Sequence, residues 1–158
     1  MSITPEFDKA RQTAVAFIGI DHSKSSGRVR NKLLTKGVDS SIVDEVIEYL
    51  CDIDYINDRR AAKRIVSRYK GRRIRSKRAM VAVFINNGIP FKVAESVASS
   101  LEDDRDTAIS LCRSTYSIIS EESRLDIMKL LHRRGYPADL SREVIRQLLS
   151  QTEDSYDN

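Results

Sequence analysis

Residues 28–50 read RVRNKLLTKGVDSSIVDEVIEYL, and this stretch decides the fold because the chain uses its pattern three times. The other copies are AMVAVFINNGIPFKVAESVASSL at 79–101 and DIMKLLHRRGYPADLSREVIRQL at 126–148. When Gly37, Gly88 and Gly135 are aligned, apolar residues recur four places before each glycine and one, five, nine and thirteen places after it. A spacing of four residues is typical of an amphipathic helix. Each copy therefore predicts two helices joined at a glycine, which suits the left-handed position that ends a helix.

The distance between copies leaves room for a third helix in each repeat. The glycines lie 51 and 47 residues apart, whereas a helix pair needs only about 25 to 28 residues. Apolar positions predict the extra helices near 5–18, 58–70 and 104–116, and no strand-like alternation suggests a sheet. The sequence thus predicts one all-α domain of about nine helices. Its three-helix repeats are expected at about 5–54, 55–103 and 104–151, followed by an acidic tail, 152–158, that frays.

Charge is concentrated in one segment of the chain. Residues 59–78, RRAAKRIVSRYKGRRIRSKR, hold eleven of the 27 Lys and Arg and no acid, although the formal net charge is only +4. Cations at the start of a helix are unfavourable unless an anion binds there, and the matching position in the third repeat carries Glu121 and Glu122. A merely solubilising surface is the alternative. We favour a polyanion-binding basic segment, with Ser76 as a helix N-cap, formed by Arg59, Arg60, Lys63, Arg64, Arg68, Lys70, Arg72, Arg73, Arg75, Lys77 and Arg78.

Other cations could extend this footprint, although ordinary exposed surface explains each of them equally well: Arg28, Arg30, Lys32, Arg133 and Arg134. Tyr69 is the only aromatic residue of the basic segment, and no run of Asn or Gln is placed to read base edges. Contacts to the backbone of single- or double-stranded DNA are therefore favoured over sequence-specific reading.

Several classes of function find no support in the sequence. Cys51 and Cys112 stand alone in apolar stretches, without metal-ligand spacing, and are expected to be buried free thiols. The neighbours Asp21, His22 and Ser23 are expected to cap a loop, because the members of a catalytic triad meet through the fold. There is no P-loop and no dinucleotide turn. We expect no enzyme activity, no metal and no cofactor.

The location and the assembly follow from similar patterns. The N-terminus lacks the basic start and apolar run of a secretory signal, and no stretch of 18 apolar residues occurs. We expect a soluble cytoplasmic protein without a membrane partner. A long heptad seam is also missing, so we expect a monomer.

Four stretches resemble the RecX family, which regulates the RecA recombinase. AVAFIGIDHSKSSGRVRNKL, DYINDRRAAKRIVSRYKGRRIR, NNGIPFKVAESV and LLHRRGYPADLSREVI occur in the family's order, from about Ala14 to Leu149. The resemblance implies tandem three-helix units in an elongated, curved molecule without catalysis of its own. It also implies binding to the RecA-DNA filament and inhibition of RecA ATPase, strand exchange and coprotease activity in recombination, DNA repair and the SOS response.

The chain departs from the family pattern at two helical positions. Ala61 stands where the family usually has a large aromatic residue, and Gly27 stands where it prefers a charged helix former. A glycine inside a helix costs about 1 kcal/mol. These changes affect the expected local packing more than the expected function.

A helical protein that binds DNA independently of RecA, like a helix-turn-helix protein, is the alternative function. The second helices of the first two repeats argue against it. They carry Asp44, Glu45, Glu48 and Glu95, which are unsuitable side chains for a major groove.

Overall fold

The periodic segments fold into helices. The computed structural model describes residues 3–156, and within them the chain has nine α-helices and no strand. The helices are α1 (Pro5–Ile18), α2 (Ser26–Thr35), α3 (Ser40–Asp52), α4 (Asp58–Val66), α5 (Lys77–Asn86), α6 (Phe91–Ser99), α7 (Asp104–Thr115), α8 (Arg124–Arg133) and α9 (Ala138–Tyr156). Short 3₁₀ turns occur at Gly71–Arg73 and Glu121–Ser123. The predicted all-α class and the number of helices are confirmed.

The three repeat glycines end α2, α5 and α8. Their φ angles are +82° at Gly37, +83° at Gly88 and +91° at Gly135, in the left-handed region that favours glycine. The Val38 N–H donates to the Leu33 carbonyl at 3.1 Å, and equivalent bonds close the other two turns. This arrangement satisfies carbonyls that the helix end leaves free. The glycine therefore sets the point at which each repeat turns from its second helix to its third.

The described chain forms two compact units that do not coincide with the three repeats. The first contains residues up to Ile65 together with Val83–Val97, and the second contains Val66–Ala82 together with the chain from Ala98 onward. In the first unit, α1, α2 and α3 pack on one another around fully buried aliphatic side chains such as Leu33 and Leu50. In the second, α7, α8 and α9 enclose a similar core. The repeat boundaries inferred from the sequence stay a prediction.

Each unit is completed by a contact between neighbouring repeats. In the first unit, the Ser25 Oγ caps α2 by accepting from the Arg28 N–H, and it donates to the Asn87 carbonyl at 2.6 Å. The Gly27 N–H donates to the Gly88 carbonyl at 3.0 Å. A Cβ added to Gly27 would lie 2.6 Å from the Gly88 Cα. The glycine at position 27 is therefore required by this close approach, which explains the departure from the family's preference for a charged residue.

The second unit repeats the same arrangement one repeat further along. The buried Ser76 caps α5 by accepting from the Ala79 N–H at 3.1 Å, and its own N–H donates to the Arg134 carbonyl. A Cβ added to Gly135 would lie 2.5 Å from the Ser76 Oγ and 2.8 Å from the Ala79 Cβ. The start of a second helix thus packs against the glycine turn of the next repeat in both units.

Two helix ends differ from the sequence prediction. α4 ends at Val66 rather than near residue 70, because the chain turns there and reaches Gly71, whose φ is +62°. The tail expected to fray from 152 is helical through Tyr156, since the Thr152 and Ser155 hydroxyls donate back to helix carbonyls. The last two residues of that tail lie outside the described range.

The two cysteines differ in exposure. Cys112 is buried, as predicted, and burial raises the pKa of its thiol to about 11. Cys51 is exposed, so the prediction that it is buried is wrong. It lies on the outer face of α3, because the apolar face of that helix runs through Val43, Ile47 and Leu50.

Candidate functional site

The basic segment is divided between the two units. Arg59, Arg60, Lys63 and Arg64 belong to α4 in the first unit, and the cations from Arg68 to Arg78 belong to the second. On α4 the buried face consists of small and aliphatic residues, so the Arg59, Lys63 and Arg64 side chains are exposed. The sequence pattern therefore places these three cations correctly on the solvent side of the helix.

Arg60 is the exception on α4, because its guanidinium bonds to the first unit itself. Its Nε donates to the His22 carbonyl at 2.8 Å, and one terminal nitrogen donates to the Asp54 carboxylate at 3.0 Å. The pKa of Asp54 lies below its usual value, first because of the Asn57 amide and then because of Arg60. Arg60 thus holds two loops against α4 and has little donor capacity left for a ligand.

In the second unit, five cations of the segment are exposed without a carboxylate within 4 Å among residues 3–156: Arg68, Lys70, Arg73, Arg75 and Arg78. Lys77 is half-buried and donates to the Ser99 carbonyl. Arg72 is exposed, and its Nε donates to the Ser114 carbonyl at 3.1 Å. The uncompensated charge lies in the loop before α5 and in its first turn.

An aromatic ring organises part of this charge. The guanidinium carbons of Arg73 and Arg75 lie 5.5 and 5.2 Å from the centre of the Tyr69 ring. Each contact is worth about 0.5–1 kcal/mol at an exposed site. We refer to Tyr69, Arg73 and Arg75 as the Tyr69 cluster. It places two guanidinium groups on one ring without neutralising either.

The start of α5 already has an anionic partner. Ser76 is the N-cap, as predicted, and the Lys77 N–H donates to the Asp104 carboxylate at 2.9 Å. The first turn of α2 is closed in the same way, since the Ser26 N–H donates to Asp58 at 2.8 Å. An external anion is therefore not needed at the backbone of α5. Binding in this region would rely on side chains.

The cations considered as extensions differ in their surroundings. Arg30 is paired with Asp44, which removes it from a positive surface. Arg28 and Lys32 approach the Phe17 ring together with Lys24, a residue that the sequence analysis missed. In the second unit Arg133 is exposed and Arg134 is half-buried. The spacing of Lys24, Arg28 and Lys32 by four residues was the available signal for Lys24.

The loop Asp21–Ser23 does not form a catalytic triad. The Ser23 hydroxyl donates to the Asp21 carboxylate at 2.8 Å and lowers its pKa, while the His22 ring stacks on Tyr55 with 4.4 Å between centres. Among residues 3–156 no three His, Cys, Asp or Glu side chains are grouped to hold a metal ion. No helix in the same range has the length and apolar character to cross a membrane.

Comparison with known proteins identifies relatives over most of the chain. The regulatory protein RecX of Clostridium perfringens strain 13 is 25% identical over 90% of this chain and 70% of its own length. The regulatory protein RecX of Corynebacterium efficiens is 27% identical over 92% of this chain and 75% of its own length. No family model matches.

A solved structure has the same fold. The crystal structure of RecX from Lactobacillus salivarius matches with a TM-score of 0.74, covering 92% of this chain and 98% of that chain at 19% identity. The sequence relatives and this fold agree with the resemblance found in the four sequence stretches.

Proposed function

We propose that this chain, a member of the RecX family by its relatives and its fold, is a regulator that binds the RecA-DNA filament. Its most probable effect is inhibition of RecA ATPase, strand exchange and coprotease activity during recombination, DNA repair and the SOS response. It acts as a monomer in the cytoplasm, without an enzyme activity or a cofactor of its own.

The uncompensated charge of the basic segment is the observation that carries the proposal. Arg73, Arg75 and Arg78 are exposed around the start of α5, where folding alone favours acids. Their charge is not balanced by a carboxylate within 4 Å among residues 3–156. A nucleoprotein filament offers phosphates that would supply this balance, and guanidinium groups bind phosphate well. Arg59, Lys63 and Arg64 on α4 could contribute from the first unit.

The helix-turn-helix alternative is less well supported. The Asp44 carboxylate on α3 is bound to Arg30, and Glu45 and Glu48 on the same helix are exposed. A helix with this surface would repel the phosphates that line a major groove. Footprinting separates the two functions, because protection of one sequence on naked DNA favours the alternative and protection only on RecA-coated DNA favours the regulator.

A RecA ATPase assay on single-stranded DNA tests the proposal. Stoichiometric amounts of the protein should lower ATP turnover, and a variant that neutralises the second-unit cations should need higher concentrations and lower salt for the same effect. The test variant is Arg73→Gln, Arg75→Gln and Arg78→Gln. The matched control removes three exposed cations of the same unit through Lys129→Gln, Arg142→Gln and Arg146→Gln.

The salt dependence gives the size of the effect. Loss of three phosphate contacts should reduce the slope of log affinity against log salt by about 2 to 3. The control should keep the slope of the parent. Unchanged ATP turnover, strand exchange and filament length with the parent protein would contradict the regulator, and equal slopes for the test variant and the parent would contradict the role of these cations.

A further inference from the structure

A second aromatic ring, in the first unit, carries three cations. The Nζ atoms of Lys24 and Lys32 each lie 5.5 Å from the centre of the Phe17 ring, and the guanidinium carbon of Arg28 lies 5.9 Å from it. We refer to these four residues as the Phe17 cluster. Because all three heads approach one ring, no two of them are farther apart than the sum of their distances to it. Three like charges are thus held close together on the surface.

The charge of the Phe17 cluster is not neutralised by the fold. No carboxylate lies within 4 Å of the three cationic heads among residues 3–156. Asp21 is near enough for Lys24 to contribute to the lowering of its carboxyl pKa, but its main partner is Ser23. Arg30, on the same helix as Arg28, is paired with Asp44. One cation of α2 is therefore used in folding, while the cluster is left positive.

The Phe17 cluster and the Tyr69 cluster occupy equivalent places in their repeats. Phe17 lies 20 residues before Gly37, and Tyr69 lies 19 residues before Gly88. Each ring is followed two places later by a glycine with positive φ, +76° at Gly19 and +62° at Gly71. The chain thus builds an aromatic ring surrounded by cations at the same point of two successive repeats.

The third repeat has the ring without the cations. Tyr116 lies 19 residues before Gly135, and its pKa is raised by burial and then by the Asp126 carboxylate. The next charged residues along the chain are Glu121 and Glu122. A ring at this place is therefore compatible with the fold when no cluster of cations surrounds it, so folding alone does not require the cations in the first two repeats.

We propose that the Phe17 cluster is a second binding point for the phosphodiester backbone of nucleic acid, equivalent to the Tyr69 cluster one repeat later. The cluster suits phosphate because three cations share one place, and each phosphate contact releases condensed counterions. The ring holds the cationic side chains and thereby lowers the entropy that they lose on binding. Base reading is not expected, since the contacts come from charged heads alone. The inference rests on the proposed function only for the identity of the polyanion.

A salt titration without RecA tests the inference. Binding of a labelled oligo-dT strand and of a labelled duplex is measured by fluorescence anisotropy between low and moderate salt. The test variant is Lys24→Gln, Arg28→Gln and Lys32→Gln. The matched control removes three exposed lysines of the same unit through Lys9→Gln, Lys36→Gln and Lys92→Gln.

The test variant should lower the salt slope by about 2 on the single strand or by about 3 on the duplex, and the two arms show which form of backbone is bound. The control should keep the parent slope. A charge-conserving variant, Lys24→Arg with Lys32→Arg, should also keep it, which separates loss of charge from loss of fold. The inference is overturned if the test variant keeps the slope on both ligands, if the control loses as much, or if the parent binds neither ligand.

The outcome is distinguishable from failure of the proposed function. A protein that leaves RecA activity unchanged but shows the predicted slope difference would overturn the regulator and support the Phe17 cluster. A protein that inhibits RecA but shows no slope difference would do the reverse.

Discussion

Substitution of Gly88 by alanine tests how neighbouring repeats pack in the first unit. Gly88 has a φ of +83°, and a Cβ at this position would lie 2.5 Å from the Ser25 Oγ and 2.7 Å from the Arg28 backbone nitrogen. Gly37 is its equivalent in the previous repeat, with a φ of +82° and nothing within 4 Å of an added Cβ. The two glycines thus share a backbone conformation and differ in the space around it.

The two substitutions should therefore differ in cost. An alanine in the left-handed region costs about 1–2 kcal/mol, offset in part by about 0.4–1 kcal/mol through the unfolded chain. Gly37→Ala should lower the free energy of unfolding by about 1 kcal/mol. Gly88→Ala adds overpacking of about 1–3 kcal/mol, because one of the atoms in the way is backbone and the Ser25 hydroxyl is a buried cap.

Thermal unfolding followed by circular dichroism measures the difference. At about 2–4 °C per kcal/mol for a chain of this size, Gly88→Ala should melt several degrees below Gly37→Ala. Gly135→Ala should resemble Gly88→Ala, since its Cβ would meet the Ser76 Oγ at 2.5 Å. Equal melting temperatures for the variants at Gly37 and Gly88 would refute the close packing between repeats.

Three further predictions concern single side chains. Ser76→Ala should lower the free energy of unfolding by about 1 kcal/mol in urea titrations, because α5 loses its N-cap, and an unchanged midpoint would contradict this role. Arg60→Gln should cost about 1–3 kcal/mol of stability, since Arg60 anchors two loops, whereas Arg59→Gln, its exposed neighbour, should cost almost none; equal costs would show that the anchor is unimportant. Burial raises the pKa of Tyr136 to about 12, so its contribution to stability is complete below pH 10 and is lost as the pH rises toward 12. Tyr136→Phe should therefore lose less stability over that interval, and an identical alkaline decline in both proteins would refute the assignment.

The sequence predicted the helices well because their signals are local. Apolar spacing and the glycines depend only on nearby residues, so α2, α5 and α8 end where the pattern indicated. The end of α4 was placed too late, because the apolar pattern continues to Tyr69 while the chain has already turned at Val66. A positive φ at Gly71 decides that end, and composition alone does not show it.

The candidate site was predicted only as a set of charges. Which cations are balanced depends on residues distant in sequence: Arg60 bonds to the His22 carbonyl, and Arg30 pairs with Asp44. Charge counting cannot separate such residues from Arg73 or Arg75. It also missed Lys24, whose importance appears only when α1 brings Phe17 beside α2.

The closed first turns of α2 and α5 make the chain directional. Each needs a carboxylate and a glycine turn from the repeat that follows, whereas α8 begins beside its own 3₁₀ turn, where the Ser120 N–H donates to the Ser123 Oγ. Removing helices from the C-terminal side would therefore strip the preceding repeat of groups it cannot replace, while deleting α1–α3 would leave the later helix starts intact. Shortening from the two ends should consequently be unequal in its damage, and a new copy of the repeat would be tolerated best in front of the first.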